Sequence, residues 1–305
     1  MFTTLIVQPI FNLLVLIYAL IPGHNFGLAI IIFTIVIRLL MYPLVKKQLH
    51  HAKAIRALQP ELKKIKAATK GDKRKEQMLT MELYRERQIK PIQSLAIVFV
   101  QLPILLGLYI GLKKTIDHPQ AIINFSYPAL HHLSWMQTLA HDIHRFDNTL
   151  FGVIDLTRTA VGPKGLYWPA LLIVIGSALA QFFQSKQLLP KSKDSRSLKK
   201  ILSEAGKGKS ADQMEVNAAV GRSTMYLIPL FVFFVSLRFA AALPLYWLTG
   251  ALVAFWQQSR ILKEDVEEAE AVADAPTASA QRAAGSVEPK AKKAKPGNRK
   301  RRRKK

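Results

Sequence analysis

The sequence predicts an all-α polytopic membrane protein. It has a five-helix transmembrane core, an N-terminal interfacial helix and a cytoplasmic helical hairpin. Three observations predict it. Half of the 305 residues are hydrophobic, yet the net charge is +24. Apolar and basic stretches alternate along the chain instead of mixing. Five apolar runs, at 26–45, 92–112, 166–183, 224–242 and 243–258, approach the ~20 residues that a helix needs to cross a bilayer. Cysteine is absent, which excludes a disulfide framework, a thiolate metal site and a lipid-modified cysteine. The positive excess calls for an anionic partner such as lipid headgroups, nucleic acid or acidic polypeptide.

Residues 1–24 are read as an interfacial amphipathic helix. Thr4, Gln8 and Asn12 recur every four residues, so they share one face, and that face is expected to look towards water. Pro9 is expected to interrupt the helix. The alternative is a sixth span. A cleaved signal is disfavoured, because the segment has neither a basic start nor a small-residue cleavage site. Residues 25–45 form the first span. Residues 46–90 form the hairpin: Ile55, Leu58, Leu62 and Ile65 make one stripe, Gly71 and Asp72 a turn, and Met78, Met81 and Tyr84 a second stripe with Leu79 and Leu83 beside it. The methionines suit an adaptable binding surface; alternatively, the two stripes pack on each other.

The second span is 91–112, followed by an external loop at 113–165, a third span at 166–185 and a cytoplasmic linker at 186–222. The fourth span (223–242) and the fifth (243–259) make a tight hairpin turning near Ala241 to Pro244. A disordered basic cytoplasmic tail follows at 260–305. Lys and Arg number none in 1–25, fourteen in 46–90, five in 113–165, nine in 186–222 and fourteen from 260 onward. Basic loops stay cytoplasmic, which sets the N-terminus outside and the C-terminus on the cytoplasmic side of the membrane.

Gly208-Lys209-Ser210 matches the end of a phosphate-binding loop, but Ser203 stands where a glycine is required and no strand precedes it. Nucleotide binding is not expected. His131, His132, His141, Asp142, His144 and Asp147 collect in the external loop, with His141 and His144 at a spacing that can suit zinc. No metalloprotease motif accompanies them, and neither metal nor cofactor is expected.

Arg38 is out of place. It lies in the run Ile35-Val36-Ile37-Arg38-Leu39-Leu40, where a charge costs about 2.5–3.5 kcal/mol on insertion scales. Arginine cannot shed its proton, and none of the five runs contains Asp or Glu. A wet cavity is therefore expected, with Thr34 one turn away on the same face. The competing reading is snorkelling to the cytoplasmic interface, seven residues away at Val45. Arg238 is read as snorkelling outward. Gln101, Gln181, Gln184 and Thr249 are further polar residues at membrane depth.

Three blocks resemble the YidC family of membrane protein insertases. They are Asn25-Phe26-Gly27-Leu28 running into Thr34-Ile35-Val36-Ile37-Arg38-Leu39-Leu40-Met41-Tyr42-Pro43; Leu58-Gln59-Pro60-Glu61-Leu62-Lys63 followed by Met81-Glu82-Leu83-Tyr84 and Gln101-Leu102-Pro103-Ile104; and Leu243-Pro244-Leu245-Tyr246-Trp247-Leu248 with Gln257-Gln258. The resemblance covers about residues 5–258. It implies a hydrophilic groove open to the cytoplasm and lipid, holding Arg38, Thr34, Gln101, Tyr246 and Trp247. The implied protein is not an enzyme. Its implied partners are nascent membrane proteins and the lipid bilayer, and the general secretion channel is a further candidate. The basic block from Lys290 to Lys305 is expected to reach ribosomal RNA or, alternatively, anionic lipid. No small-molecule substrate is expected; the rival class is a small-anion transporter or channel. The turn Gln88-Ile89-Lys90-Pro91 and the segment Ala241-Ala242-Leu243-Pro244 depart from the family pattern.

Overall fold

The computed structural model describes residues 1–69, 72–87, 96–163, 165–188 and 213–274. The chain divides into two units, Met1–Ile261 and Leu262–Lys305. In the second unit the described residues are helical up to Asp274. The tail expected to be disordered from residue 260 is instead helical as far as Asp274, where it continues the last helix without a break; its remainder, 275–305, lies outside the described residues, as do the Gly208-Lys209-Ser210 segment and the Gln88–Pro91 turn.

A π-helical turn, Thr3–Val7, runs directly into α1, Gln8–Leu20. Pro9 sits in the first turn of α1, where a missing N–H leaves no intrahelical bond broken. It does not interrupt the helix as expected; the change from π to α geometry absorbs it. The polar stripe is also corrected. Asn12 is buried. Its amide donates to the carbonyls of Gln8 and Phe125, at 2.7 and 3.4 Å, and its Oδ1 accepts from the Tyr127 N–H. Gln8 donates to the same Phe125 carbonyl at 3.5 Å. Of the face expected to meet water, Gln8 and Asn12 instead pair with the segment Phe125–Tyr127, and Thr4 is exposed. By length and composition Thr3–Leu20 is apolar enough to cross a membrane.

Helix α2, Phe26–Leu40, starts at Asn25, whose side chain accepts the Leu28 N–H at 3.0 Å. The same residue's amide donates to Asp147 at 2.7 Å. Within the expected first span, 25–45, α2 ends at Leu40 and α3, Tyr42–Ala57, begins; the run Tyr42–Leu62 is bent by 56° from α2. Pro43 is the cause: it has no N–H to give, its ring crowds the carbonyl four residues back, and it disfavours helical geometry just before it. Two further helices follow, α4 (Gln59–Thr69) and α5 (Lys73–Glu86). Asp72 caps α5 by accepting the N–H groups of Arg74 and Lys75.

Leu58, Leu62 and Leu83 form the contact between α4 and α5, with Ile65 and Tyr84 beside them. Met78 and Met81 point away and are exposed. The second stripe is therefore split: its Leu83–Tyr84 edge packs and its methionine edge is open.

Helix α6 is Ala96–Asp117. Between it and α9, Trp168–Leu188, lie α7 (Ala121–Asn124), α8 (Ser134–His141) and two small antiparallel ribbons. These are β1 (Thr149–Leu150) with β2 (Ile154–Asp155), and β3 (Val161–Gly162) with β4 (Gly165–Leu166). Helix α10, Gln213–Ser236, packs along α9, and α11, Ala242–Asp274, follows a short turn.

The main core joins α1 (Phe11, Leu14, Tyr18), α2 (Phe26, Ile30, Phe33) and α6 (Leu108, Leu112). In lipid, apolar burial gives little net drive, so helices associate through close packing. Gly107 and Gly111 permit that approach. A Cβ on Gly107 would stand 2.7 Å from Ile10 Cδ1, and one on Gly111 2.6 Å from Phe11 Cδ2.

Apolar side chains are also exposed on α6 (Phe99, Leu102), α9 (Leu172, Phe183) and α10 (Phe231, Phe234). Exposure on this scale marks surfaces that meet lipid or a partner. Among the described residues, three helices are long and apolar enough to span a membrane, or four if the bent α2–α3 pair counts as one span. The fold is thus that of a helical membrane protein.

Replacing Gly111 with Leu should force Phe11 aside and separate α6 from α1. Overpacking of this kind costs about 1–3 kcal/mol. A lower thermal midpoint for the detergent-purified variant is the expected result, and Gly111→Ala should be the milder of the two.

Candidate functional site

The α2 helix presents Arg38 twelve residues after its start, about 18 Å along the axis at 1.5 Å per residue. Thr34 lies one turn earlier on the same face, buried, with its hydroxyl donating to the Ile30 carbonyl at 2.6 Å. Across from them is Gly250 of α11. A Cβ added there would lie 3.3 Å from Arg38 Nη2, 3.5 Å from Nε and 3.7 Å from Thr34 Cγ2. The guanidinium therefore rests against bare helix backbone. Any larger residue at 250 would press on it.

One turn before Gly250, Tyr246 is buried, and its hydroxyl accepts from Gln101 Nε2 of α6 at 2.6 Å. That bond leaves the phenolic hydrogen free to turn towards an incoming acceptor. Among the described residues no carboxylate pairs with Arg38, whose five N–H donors are thus uncommitted to an acidic side chain. Arg38 is half-buried.

Two turns further along α11, Gln257 is fully buried and donates to the Arg38 backbone carbonyl at 2.8 Å. In an unbroken helix that carbonyl would take an N–H from the next turn; at the break between α2 and α3 it takes a side chain instead. The Oε1 atoms of Gln257 and Gln258 are buried with no hydrogen-bond partner among the described residues. Further on, Gln187 of α9 donates to Ser259 at 2.6 Å.

The structure therefore brings together four of the five expected residues: Arg38, Thr34, Gln101 and Tyr246. Trp247 adjoins Tyr246 in sequence, but its ring meets Phe239 edge-on at 6.3 Å. Two residues belong to the site without having been singled out for it. Gly250 carries no sequence signal, since its role depends on what stands across the interface. Gln257 was visible only as part of a motif. The histidines between α6 and α9 behave differently: His131 lies 2.9 Å from Ser126 Oγ and 3.1 Å from the Ile123 carbonyl. Among the described residues, no three His, Asp or Glu side chains converge in a way that could hold a metal.

Apolar helices exposed to their surroundings, with a cation, a phenol and amides gathered between three of them, define a helical membrane protein with a polar interior. Residues 16–268 match the profile of the 60Kd inner membrane protein family, and the chain belongs to that family, which includes the YidC insertases. The membrane protein insertase MisCA of Bacillus subtilis is 29% identical over 266 residues, covering 86% of this chain and 79% of the relative. The membrane protein insertase YidC of Fusobacterium nucleatum is 29% identical over 240 residues, 79% of this chain and 87% of the relative. YidC of Bradyrhizobium diazoefficiens is 29% identical over 247 residues, which cover 34% of that longer protein.

Gln257→Leu should leave the Arg38 carbonyl unpaired. The cost of an orphaned buried acceptor is about 1–3 kcal/mol. Amide hydrogen exchange should accelerate around residues 38–45 while the contact between α9 and α10 keeps its protection; unchanged exchange at 38–45 would remove Gln257 from the site.

Proposed function

We propose that the chain guides transmembrane segments of nascent proteins into the lipid bilayer through a polar groove centred on Arg38. The class of activity, membrane protein insertase, follows from family membership. The groove rests on one observation: an arginine seated on the bare backbone of Gly250, with no acidic neighbour among the described residues.

A polar segment crossing hydrocarbon loses its hydrogen bonds to water, which is costly unless replaced. Arg38 offers charge-assisted donors, Tyr246 a hydroxyl hydrogen, and Gln257 and Gln258 acceptors. Together they shorten the unfavourable path. Attraction between Arg38 and a passing carboxylate is stronger here than in water, because the effective dielectric is lower. Release of the substrate's apolar span into lipid then drives transfer forward. No covalent step is assigned to any residue. Trp247 joins this set through its place beside Tyr246.

The five-span reading of 25–45, 91–112, 166–185, 223–242 and 243–259 goes with this proposal, with the N-terminus outside and the C-terminus cytoplasmic. Charge alternation supports it. Residues 1–24 are placed at the outer edge as an interfacial helix, and the pairing of Asn12 with the external segment supports that. The exposed Met78 and Met81 suit a first receiving surface on a cytoplasmic hairpin. The tail from Lys290 to Lys305 is assigned to the ribosome, and the general secretion channel is a candidate partner. The rival reading, a small-anion transporter, finds no support in the family.

Two outcomes test this. Arg38→Ala should lower insertion of a single-span substrate with an acidic external tail by about tenfold or more, on the scale of a lost charge-assisted hydrogen bond. Arg38→Lys should retain most activity if a point charge suffices. Full activity of the Ala variant would reject the groove. Removal of residues 290–305 should abolish ribosome co-sedimentation at low salt, and wild-type binding should weaken steeply as salt rises; co-sedimentation that survives the truncation would reject the tail's assignment.

A further inference from the structure

Arg238 has no part in the groove. It belongs to the turn between α10 and α11, beside the first residues of α11. Gly250, against which the Arg38 guanidinium rests, is seven residues beyond Leu243 on the same helix, about 10 Å along its axis. The two arginines therefore meet α11 at separate levels, and no residue that lines the cavity contacts the Arg38 guanidinium at Gly250.

Around Arg238 is a cavity of about 290 Å³. Its walls divide by chemistry. Lys113, Asp117, Thr157, Thr159 and Arg238 supply polar atoms, while Leu112 and Leu243 are among the apolar ones. Most of the polar groups are already committed. Lys113 pairs with Asp117 at 2.8 Å. The Thr157 hydroxyl donates to Asp155 at 2.6 Å and that of Thr159 to the Val161 carbonyl at 3.2 Å. Arg238 differs: among the described residues its guanidinium has no acidic or hydrogen-bonding partner. Two cations and one carboxylate leave the lining with a net positive charge, carried by a free forked donor.

The apolar wall continues along α6 to the exposed Leu106, one turn from Tyr109, which also lines the cavity. A site with a forked cation at one side and an apolar strip at the other fits an amphiphile with an anionic head. Its volume suits one headgroup and not a folded peptide. We propose that the cavity holds the phosphodiester of an anionic phospholipid, gripped by Arg238, with an acyl chain along α6. Guanidinium matches phosphate bidentately, and basic pockets between spans are an established way of holding anionic headgroups. The leaflet, outer, rests on the proposed orientation; binding itself does not.

Native mass spectrometry of the full-length chain in detergent tests this, with phosphatidylglycerol and phosphatidylcholine of identical acyl chains as probes. The wild type should retain phosphatidylglycerol about tenfold better, Arg238→Gln should lose that preference and Arg238→Lys should keep part of it, as expected for loss of a charge-assisted pair. Arg38→Ala should leave retention unchanged, which separates this site from the groove. Inorganic phosphate at millimolar concentration and an acidic decapeptide should fail to displace the lipid, because neither offers the acyl chain. Equal retention of the two lipids, equal retention by Arg238→Gln, or displacement by phosphate or peptide would each overturn the proposal. Should the Gln variant not fold, salt decides with the wild type: retention must fall several-fold as salt rises, and salt-independent retention overturns it.

Discussion

The contact between the Arg38 guanidinium and the backbone of α11 at Gly250 governs the arrangement of the polar interior. A cation that cannot deprotonate has to be accommodated inside an apolar helix pair. Two solutions exist. An acidic partner would neutralise it and spend its donors, with the desolvation of both ions offsetting much of the gain. The alternative is to seat it without one, and the chain takes this course. With glycine at 250 the guanidinium packs directly on helix backbone, where a Cβ would stand 3.3 Å from Nη2. Gln101 fixes the Tyr246 hydroxyl nearby, and the charge stays available to something else.

A second constraint follows from where Arg38 stands. It occupies the last turn of α2, just before the break imposed by Pro43. Its side chain reaches α11 at Gly250, and its carbonyl is held by Gln257 of the same helix. Positions 246, 250 and 257 are four and seven residues apart, so they fall on one stripe of α11. One residue thus ties two helices at two points, through charge-bearing side chain and main chain. That double tie fixes the register of α11 against α2, which a purely apolar seam would leave free to slide.

Much of this was legible in the residues. A charge in a long apolar run is conspicuous, so Arg38 stood out, and helical spacing gave Thr34. Gln101 was visible as a polar residue at membrane depth, but its place beside Arg38, like that of Tyr246, came with the family resemblance. Other features were hidden for identifiable reasons. A four-residue polar period describes a face without saying what covers it, so Asn12 read as water-facing although Phe125 and Tyr127 take its hydrogen bonds. The apolar run through residue 45 masked the break at Met41, even with Pro43 in view. Met78 and Met81 shared a spacing with Tyr84, yet Leu83 and Tyr84 alone turn inward. Spacing assigns faces; partners far away in sequence decide which face is buried.

The two ends of the bundle handle polar groups differently, and this bears on the direction of transfer. Near the start of α2, Asn25 caps the helix and donates to Asp147, which also accepts from the backbone and hydroxyl of Thr149. Asn12 is likewise engaged by the segment after α7. These groups hold one another and offer a passing chain little. Around the end of α2 the balance reverses. A guanidinium without a carboxylate, and glutamine oxygens without donors, lie within a few turns of α11. Each unmet valence already costs free energy in the resting protein. A polar segment that satisfies them recovers that cost while losing its own water, so entry at this end is less uphill than entry at the other. On the proposed groove, this asymmetry sets only the side from which entry is easier; the net drive is the departure of the segment's apolar part sideways into lipid.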